Sequence, residues 1–170
     1  MSPLWRDRLH IALAPDSLVL VRVGGGLAPK VLAKAIVPVV ADHPERGWTS
    51  VLETLAEVLL ADRQWQDAKT SVVLSNYFVR YQLLPWSDEI ETDEEREAYV
   101  RASFSQVYGE GAADWVYTVS ETGRGASWLA AAMDRALLAQ LEASISNSQS
   151  KLVSVMPHLM PSFNAARREI

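Results

Sequence analysis

Three short runs of alternating side chains near the start of the chain constrain its fold most strongly. Between Leu9 and Val40 the side chains alternate with a period of two, which is typical of strands with one well-buried face. The break Pro15-Asp16-Ser17 is short enough for a tight hairpin, and Gly24-Gly25-Gly26 supplies the positive φ angles that a turn needs. This stretch therefore predicts an antiparallel three-stranded meander.

Helical and strand-like segments alternate along the rest of the chain. Apolar residues at spacings of three and four mark the helices, and short apolar runs between polar breaks mark the strands. The predicted elements are a helix over 48–64, strands over 70–75 and 79–86, a helix from Thr92 or Asp93 to Gly109, strands over 115–120 and 127–133, a helix over 135–146, a strand over 151–156 and the start of a helix over 163–170. The first helix is expected to act as a crossover that makes the strand at 70–75 parallel to the first strand.

Capping residues and apolar faces give these helices more detail. Thr49 or Ser50 is a predicted cap of the first helix, with Glu53 completing a capping-box pattern after Ser50. Asp134 is the predicted N-cap of the third helix. The second helix begins with acidic residues, which the helix dipole favours there. Its predicted apolar side consists of Ala98, Tyr99, Ala102, Phe104 and Val107.

The order of these elements resembles the plan of a ribonuclease H-like domain. The fold class is α/β with mixed α+β character, in which parallel strands extend the meander and helices pack on the sheet. Residues 1–170 are expected to form a single lobe, and residues 79–121 a small α+β insertion within it. The segment 127–133 is interpreted as a core strand that follows this insertion, with a helix as the alternative that its alanines leave open.

Composition excludes several classes of function. The 170 residues include no cysteine, so the chain has neither a disulfide framework nor a thiolate metal site. No apolar run is long enough for a transmembrane helix, and the N-terminus lacks the pattern of a secretory signal. The net charge is −5, and the only local basic cluster is Arg167-Arg168, which argues against binding to nucleic acid.

The carboxylates and histidines do not form a catalytic or metal site. A nuclease on the ribonuclease H plan needs carboxylates on its first strand, first helix and fourth strand to hold two metal ions. The first strand offers His10, the fourth is followed by Ser75 and Asn76, and Glu53 and Glu57 lie on the solvated face of the helix. The three histidines have no ligand spacing, and no serine lies in a nucleophile elbow. The histidines are His10, His43 and His158.

The turn between the first two strands is the place where an ATPase of this plan would bind phosphate. Such a turn is normally rich in glycine, because backbone N–H groups must approach the phosphate closely. Here Pro15 removes one N–H donor, and no glycine is present. Asp16 and Ser17 could still contact magnesium, but their preference for turns explains both residues without a nucleotide.

Aromatic and acidic residues are concentrated between positions 86 and 115. Four aromatic side chains lie in the predicted insertion, where they either form its small core or mark a surface that binds a partner. They are Trp86, Tyr99, Tyr108 and Trp115. The acidic run over 88–95 is interpreted as a solvated loop and helix start, with an electrostatic docking patch as the alternative.

Taken together, these residues resemble the first lobe of an actin-like ATPase fold. The chain is most similar in pattern to the cytoplasmic actin-like proteins of bacterial type IV pilus assembly and type II secretion, the PilM and GspL types. The similarity rests on the order of elements, on TSVVLSNYFVRYQLLPW over 70–86, and on WLAAAMDRALLAQL over 128–141 followed by KLVSVMP over 151–157. The glycine-rich phosphate turn and the second lobe of such proteins are missing, which predicts one lobe of a longer protein or a natural half-protein.

This resemblance implies a non-catalytic scaffold or protein-binding module without cofactor. The expected partner is a peptide or cytoplasmic domain of an inner-membrane protein, bound by strand addition to a sheet edge. The chain would be cytoplasmic and peripheral to the inner membrane through its partners, with weak homodimerisation through exposed apolar surface. The alternative is the N-terminal half of an actin-like ATPase that binds ATP and magnesium only with its second lobe.

Overall fold

The computed structural model describes residues 6–40, 47–120 and 125–159. The chain divides into two compact units, the first formed by residues 1–78 and 139–170 and the second by residues 79–138. Three features named from the sequence lie outside the described ranges. They are His43, the basic pair Arg167-Arg168 and the predicted helix start over 163–170.

Eight strands and three helices make up the described part of the chain. The strands are β1 (Arg8–Ala14), β2 (Ser17–Val23), β3 (Val31–Pro38), β4 (Lys69–Leu74), β5 (Arg80–Leu84), β6 (Trp115–Val119), β7 (Trp128–Asp134) and β8 (Lys151–Pro157). The helices are α1 (Thr49–Ala61), α2 (Asp93–Tyr108) and α3 (Arg135–Asn147). Short 3-10 turns lie at Arg63–Trp65, Asn76–Phe78 and Gly109–Asp114.

The first unit contains a five-stranded sheet with the order β3-β2-β1-β4-β8. The antiparallel meander is confirmed, since β1 pairs with β2 and β2 with β3 in antiparallel orientation. The parallel crossover is also confirmed, because β4 pairs with β1 in parallel, and β8 extends the sheet in the same direction. One face of β1 is fully buried through Leu9, Ile11 and Leu13, as the alternation predicted.

An ion pair at the start of β1 fixes the ends of three strands. The Arg22 Nε donates to the Asp7 Oδ2 at 2.8 Å, and both side chains are largely buried. Asp7 also accepts the N–H of Gly25 at 3.2 Å through its carboxylate and that of Lys69 at 3.0 Å through its carbonyl. Arg22 donates in addition to the Gln66 carbonyl at 2.9 Å. The pair therefore connects the ends of β1, β2 and β4.

The predicted cap of α1 is wrong. The helix begins one residue earlier, and its N-cap is Trp48, which makes no capping hydrogen bond through its side chain. A capping residue needs an extended backbone, whereas Trp48 already has helical angles, so Thr49 and Ser50 lie inside the helix. The apolar face of α1 is as predicted, with Leu52, Leu55 and Leu59 fully buried.

The second unit contains a separate antiparallel sheet with the order β5-β7-β6. The interpretation of residues 127–133 as a core strand of the main sheet is wrong, because β7 pairs with β5 and β6. Ala130, Ala131 and Ala132 are all buried, as expected of a central strand, but an apolar run does not reveal which sheet it joins. The boundary of the insertion at residues 79–121 stays a prediction.

Helix α2 begins and ends as predicted but buries only part of its predicted apolar side. Thr92 and Glu95 form a reciprocal capping box, and Gly109 ends the helix at φ 69°. The buried residues are Val100 and Phe104, while the predicted face is mostly exposed at Ala98, Ala102 and Val107. The helix carries few apolar residues, so its periodicity is weak and the sheet beneath it selects the buried face.

Helix α3 begins as its sequence predicted. The Ala136 N–H donates to the Asp134 Oδ1 at 2.7 Å, which confirms Asp134 as the cap. Leu137, Leu141 and Ile145 are buried along one face of the helix.

Phe104 supplies a test of the packing in the second unit. The substitution Phe104→Ala is expected to lower the free energy of unfolding by about 3–5 kcal/mol, because this fully buried ring packs against the rings of Tyr108, Trp115 and Tyr117. Urea denaturation followed by tryptophan fluorescence and near-UV circular dichroism measures the change. The control Val107→Ala lies on the same helix at 64% exposure and should change stability by less than about 0.5 kcal/mol. Equal effects of the two substitutions would contradict the buried face described here.

Candidate functional sites

The turn between β1 and β2 uses its polar groups within the chain. Ala14 pairs with Ser17, so Pro15 and Asp16 form a two-residue hairpin loop. The Ser17 Oγ donates to the Asp16 Oδ1 at 3.0 Å, and the Val39 N–H donates to the Asp16 carbonyl at 2.8 Å. The two residues predicted as weak nucleotide ligands are therefore adjacent and bonded to each other in an exposed turn.

A small cavity lies beside this turn, where parallel strands end. It has a volume of about 270 Å³, and its lining includes residues that follow or end β1, β4 and β8. The lining residues are Ala12, Leu13, Ala14, Ser17, Val19, Val73, Ser75, Asn76 and His158. Ser17 thus faces the cavity, whereas Asp16 is not among its lining residues.

The polar residues of this cavity also make bonds within the chain. The Ser75 Oγ accepts the N–H of Tyr77 at 3.3 Å, and the Asn76 Oδ1 accepts the N–H of Leu159 at 3.3 Å. The His158 N–H donates to the Leu74 carbonyl at 2.8 Å. The position of His158 beside this cavity was not predicted from the sequence. It could have been, because Ser75, Asn76 and His158 directly follow strands that were expected to be parallel.

The described residues contain no cluster that could hold a metal ion. No group of three or more histidine, aspartate or glutamate side chains converges within residues 6–40, 47–120 and 125–159. Glu53 and Glu57 are exposed on α1, as their positions in the pattern predicted, and His10 is exposed on β1.

The four aromatic residues predicted to bind a partner divide into two pairs around α2. Trp86 and Tyr99 pack edge-on against the buried Trp128, with ring centroids 5.3 and 6.2 Å away. Tyr108 and Trp115 contact each other at 5.1 Å. Trp86 and Trp115 line one groove, whereas Tyr99 and Tyr108 line a cavity of about 520 Å³ on the β5 side. All four contribute to packing in their own unit, and their role in partner binding stays a prediction.

The larger groove of the second unit runs along strand β6. It has a volume of about 550 Å³, and every residue from Trp115 to Ser120 lines it. The remaining lining residues come from the start of α2, from Trp86 and Trp128, and from Arg135 at the start of α3. The charged members of this set are Asp93, Arg96, Glu97, Arg101 and Arg135.

The charges of this groove favour an anion near its Arg135 end. Arg96 pairs with Asp93, and the Arg101 Nη2 lies 2.8 Å from the Glu97 Oε1, so these two cations are balanced. Arg135 donates to the Trp115 carbonyl at 3.4 Å and has no carboxylate partner within the described residues. Burial raises the pKa of the Tyr117 phenol above its usual value, and the nearby Arg101 and Arg135 guanidinium groups partly offset this rise.

Comparison with known proteins shows the fold of the chain. No protein-family model and no curated protein matches it. The cytoplasmic domain of EpsL, an inner membrane component of the type II secretion system of Vibrio cholerae, is 14% identical, with a TM-score of 0.64 over 89% of this chain and 57% of that one. The PilM-PilN type IV pilus biogenesis complex is 18% identical, with a TM-score of 0.62 over 88% of this chain and 47% of that one.

These similarities show that the chain shares the fold of the EpsL cytoplasmic domain and of the PilM-PilN complex, as the resemblance predicted. A Bacteroides thetaiotaomicron protein with an actin-like ATPase fold and unknown function aligns with a TM-score of 0.47 at 11% identity, over 91% of this chain and 55% of that one. The chain spans about half the length of the solved chains it matches. Within the described residues, no helix is both long and apolar enough to cross a bilayer.

The pKa of Tyr117 provides a test of the charge in the groove. Each guanidinium stabilises the phenolate, so Arg135→Gln or Arg101→Gln should raise the pKa of Tyr117 further above the value in the unsubstituted protein. The measurement is a pH titration of the ring ¹³Cζ resonance in tyrosine-labelled protein. Arg80→Gln, which removes an arginine from β5, is the matched control and should leave this pKa unchanged. A lowered pKa in either groove variant would show that the two arginines do not act on the groove as described.

Proposed function

We propose that this chain is a non-catalytic actin-like scaffold that binds a protein partner. Its fold is that of a type II secretion component and of a pilus biogenesis complex, which supports a role in an assembly of this kind at the inner membrane. The observation that carries the non-catalytic part is the hairpin at Pro15 and Asp16, because its donors and acceptors bond within the chain.

The chemistry of phosphate binding explains why this hairpin matters. A phosphate group needs converging N–H donors and a backbone that allows close approach, which glycine-rich turns provide. Pro15 has no N–H, and the Asp16 carboxylate adds negative charge where a phosphate would lie. The Ser17 hydroxyl donates to Asp16, so the turn presents an acidic surface rather than a cradle for an anion.

The cavity beside the turn favours the second candidate, the N-terminal half of an actin-like ATPase. Ligands of open α/β sheets bind at the carboxyl ends of the strands, and this cavity lies there. Its volume of about 270 Å³ is below the roughly 300 Å³ at which small-molecule sites begin. It has no carboxylate for magnesium in its lining and no glycine-rich loop, so the residues present do not fit magnesium and a triphosphate by themselves.

The proposed partner is a peptide or cytoplasmic domain of an inner-membrane protein. Binding of a short segment to a sheet edge supplies affinity through backbone hydrogen bonds and specificity through alternate side chains. Through such a partner the chain would be held at the cytoplasmic face of the inner membrane. Exposed apolar side chains on β3, among them Ile36, are consistent with weak self-association as an additional property.

Nucleotide binding separates the two candidates. Isothermal titration with Mg-ATP is expected to give no saturable heat, and Mg-ATP should leave the melting temperature unchanged, because the turn offers no phosphate cradle. Asp16→Ala should behave identically to the unsubstituted chain. Saturable binding that Asp16→Ala weakens at least tenfold, in this chain or in a longer natural form of it, would contradict the scaffold and support the ATPase half.

Partner binding is tested by reconstitution. Cross-linking in the native host identifies candidate cytoplasmic segments, and each is then purified and mixed with this chain. A true partner should raise the melting temperature in proportion to the logarithm of its concentration above its Kd, corresponding to about 2.7 kcal/mol at one hundred times its Kd. If every segment recovered in this way leaves the melting temperature unchanged, the scaffold function is rejected.

A further inference from the structure

Strand β6 is an edge strand with an open groove beside it. Among the described residues it pairs only with β7. The Ser120 N–H donates to the Leu129 carbonyl at 2.8 Å, so the backbone groups of Ser120 point toward β7. In an antiparallel pair this direction alternates from residue to residue, which places the N–H and C=O groups of Tyr117 and Val119 on the opposite side. These groups can accept another strand.

The groove has the shape that such a strand requires. Residues 115–120 line it along their whole length, which corresponds to roughly 20 Å of extended chain. Arg101 of α2 and the ring of Trp86 also line it. An extended segment lying here would place alternate side chains into the groove, and the others toward solvent.

The charges in the groove indicate which charge the bound segment should carry. Arg96 and Arg101 are balanced by acidic neighbours on α2, but Arg135 has no acidic partner in the described part of the chain. The field of Arg135 reaches the middle of β6, since it acts on the Tyr117 phenol together with that of Arg101. A carboxylate on the incoming segment would therefore be attracted to this end of the groove.

We propose that β6 binds an extended segment of a partner protein that pairs with the Tyr117 and Val119 backbone groups. The segment places an aspartate or glutamate side chain at Arg135, and an apolar side chain against the exposed part of Trp86. This inference rests on the proposed scaffold function and assigns it a binding edge and a ligand chemistry. A second copy of this chain fits less well, because β6 itself carries no aspartate or glutamate between Trp115 and Val119 that could lie at Arg135.

The first experiment selects ligands without knowledge of the partner. The purified chain is used to pan a phage-displayed library of random 12-residue peptides. Enriched peptides are expected to share β-branched or aromatic residues at alternate positions and one acidic residue. Panning against the variant Arg135→Glu should enrich a basic residue at the same place. The new glutamate lies in the first turn of α3, where a negative charge is compatible with the helix, so the variant is expected to fold.

Binding constants and amide exchange then locate the site. A synthetic acidic peptide from the selection should bind Arg135→Glu at least tenfold more weakly, while Arg80→Glu, the same reversal on the β5 edge, should stay within twofold. In ¹⁵N-labelled protein the peptide should slow amide hydrogen exchange at Tyr117 and Val119, with little change at Thr118, whose N–H points toward β7.

Four results would overturn the proposal. They are enrichment of no peptide, enrichment without an acidic residue, an equal effect of Arg135→Glu and Arg80→Glu, and protection confined to residues outside β6. Amide exchange at Tyr117 and Val119 that slows with protein concentration in the absence of peptide would assign the edge to a second copy. That result would also overturn the proposal of a partner segment. If a reconstituted partner binds the chain and Arg135→Glu equally well, the scaffold function stands and only the assignment of the edge fails.

Discussion

The register of β1 is the constraint on which the first unit depends. This strand pairs antiparallel with β2 on one side and parallel with β4 on the other, so a shift of one residue would turn Leu9, Ile11 and Leu13 away from the core on both pairings. The ion pair of Asp7 and Arg22 opposes such a shift, because it joins the ends of the strands through a part-buried, charge-assisted hydrogen bond. The same register brings the carboxyl ends of β1, β4 and β8 together, which creates the cavity beside the first turn.

The sequence predicts those parts of the fold that local chemistry determines. Alternation predicts the meander, the Thr92 capping box predicts the start of α2, and Asp134 predicts the start of α3, because each depends on residues a few positions apart. The errors concern features that distant parts of the chain determine. The alanines of β7 are equally compatible with either sheet, and the buried face of α2 depends on the strands beneath it. The predicted cap of α1 is wrong for a local reason. Trp48 already has helical backbone angles, so Ser50 lies inside the helix and does not have the extended backbone of a capping residue.

The same distinction applies to the candidate sites. The sequence of the first turn predicted that Asp16 and Ser17 are weak nucleotide ligands at most, and the structure adds that the two side chains hydrogen-bond to each other. The groove along β6 was not predictable, because it requires β6 to be an edge strand, and that follows only when β7 joins β5 and β6. Once this order is known, Arg135 is brought beside Trp115 from twenty positions away in sequence. The four predicted aromatic residues form two separate pairs, and only Trp86 and Trp115 of the four line this groove.

The residues that stabilise the first sheet are different from those of the turn between its first two strands. In this chain the buried leucines of β1 and β2 need only a tight turn between the strands, and Pro15 and Asp16 satisfy that need with two residues. A glycine-rich turn would cost more conformational entropy on folding and would be retained only if phosphate binding were selected. In the second unit, edge strand β6 lies beside an open groove and beside Arg135, which has no acidic partner among the described residues. An exposed edge strand can pair with other chains and aggregate unless a partner covers it. The proposed scaffold thus rests on two features of the described residues: a first turn whose polar groups bond to each other, and an edge strand beside Arg135 that an extended acidic segment could use.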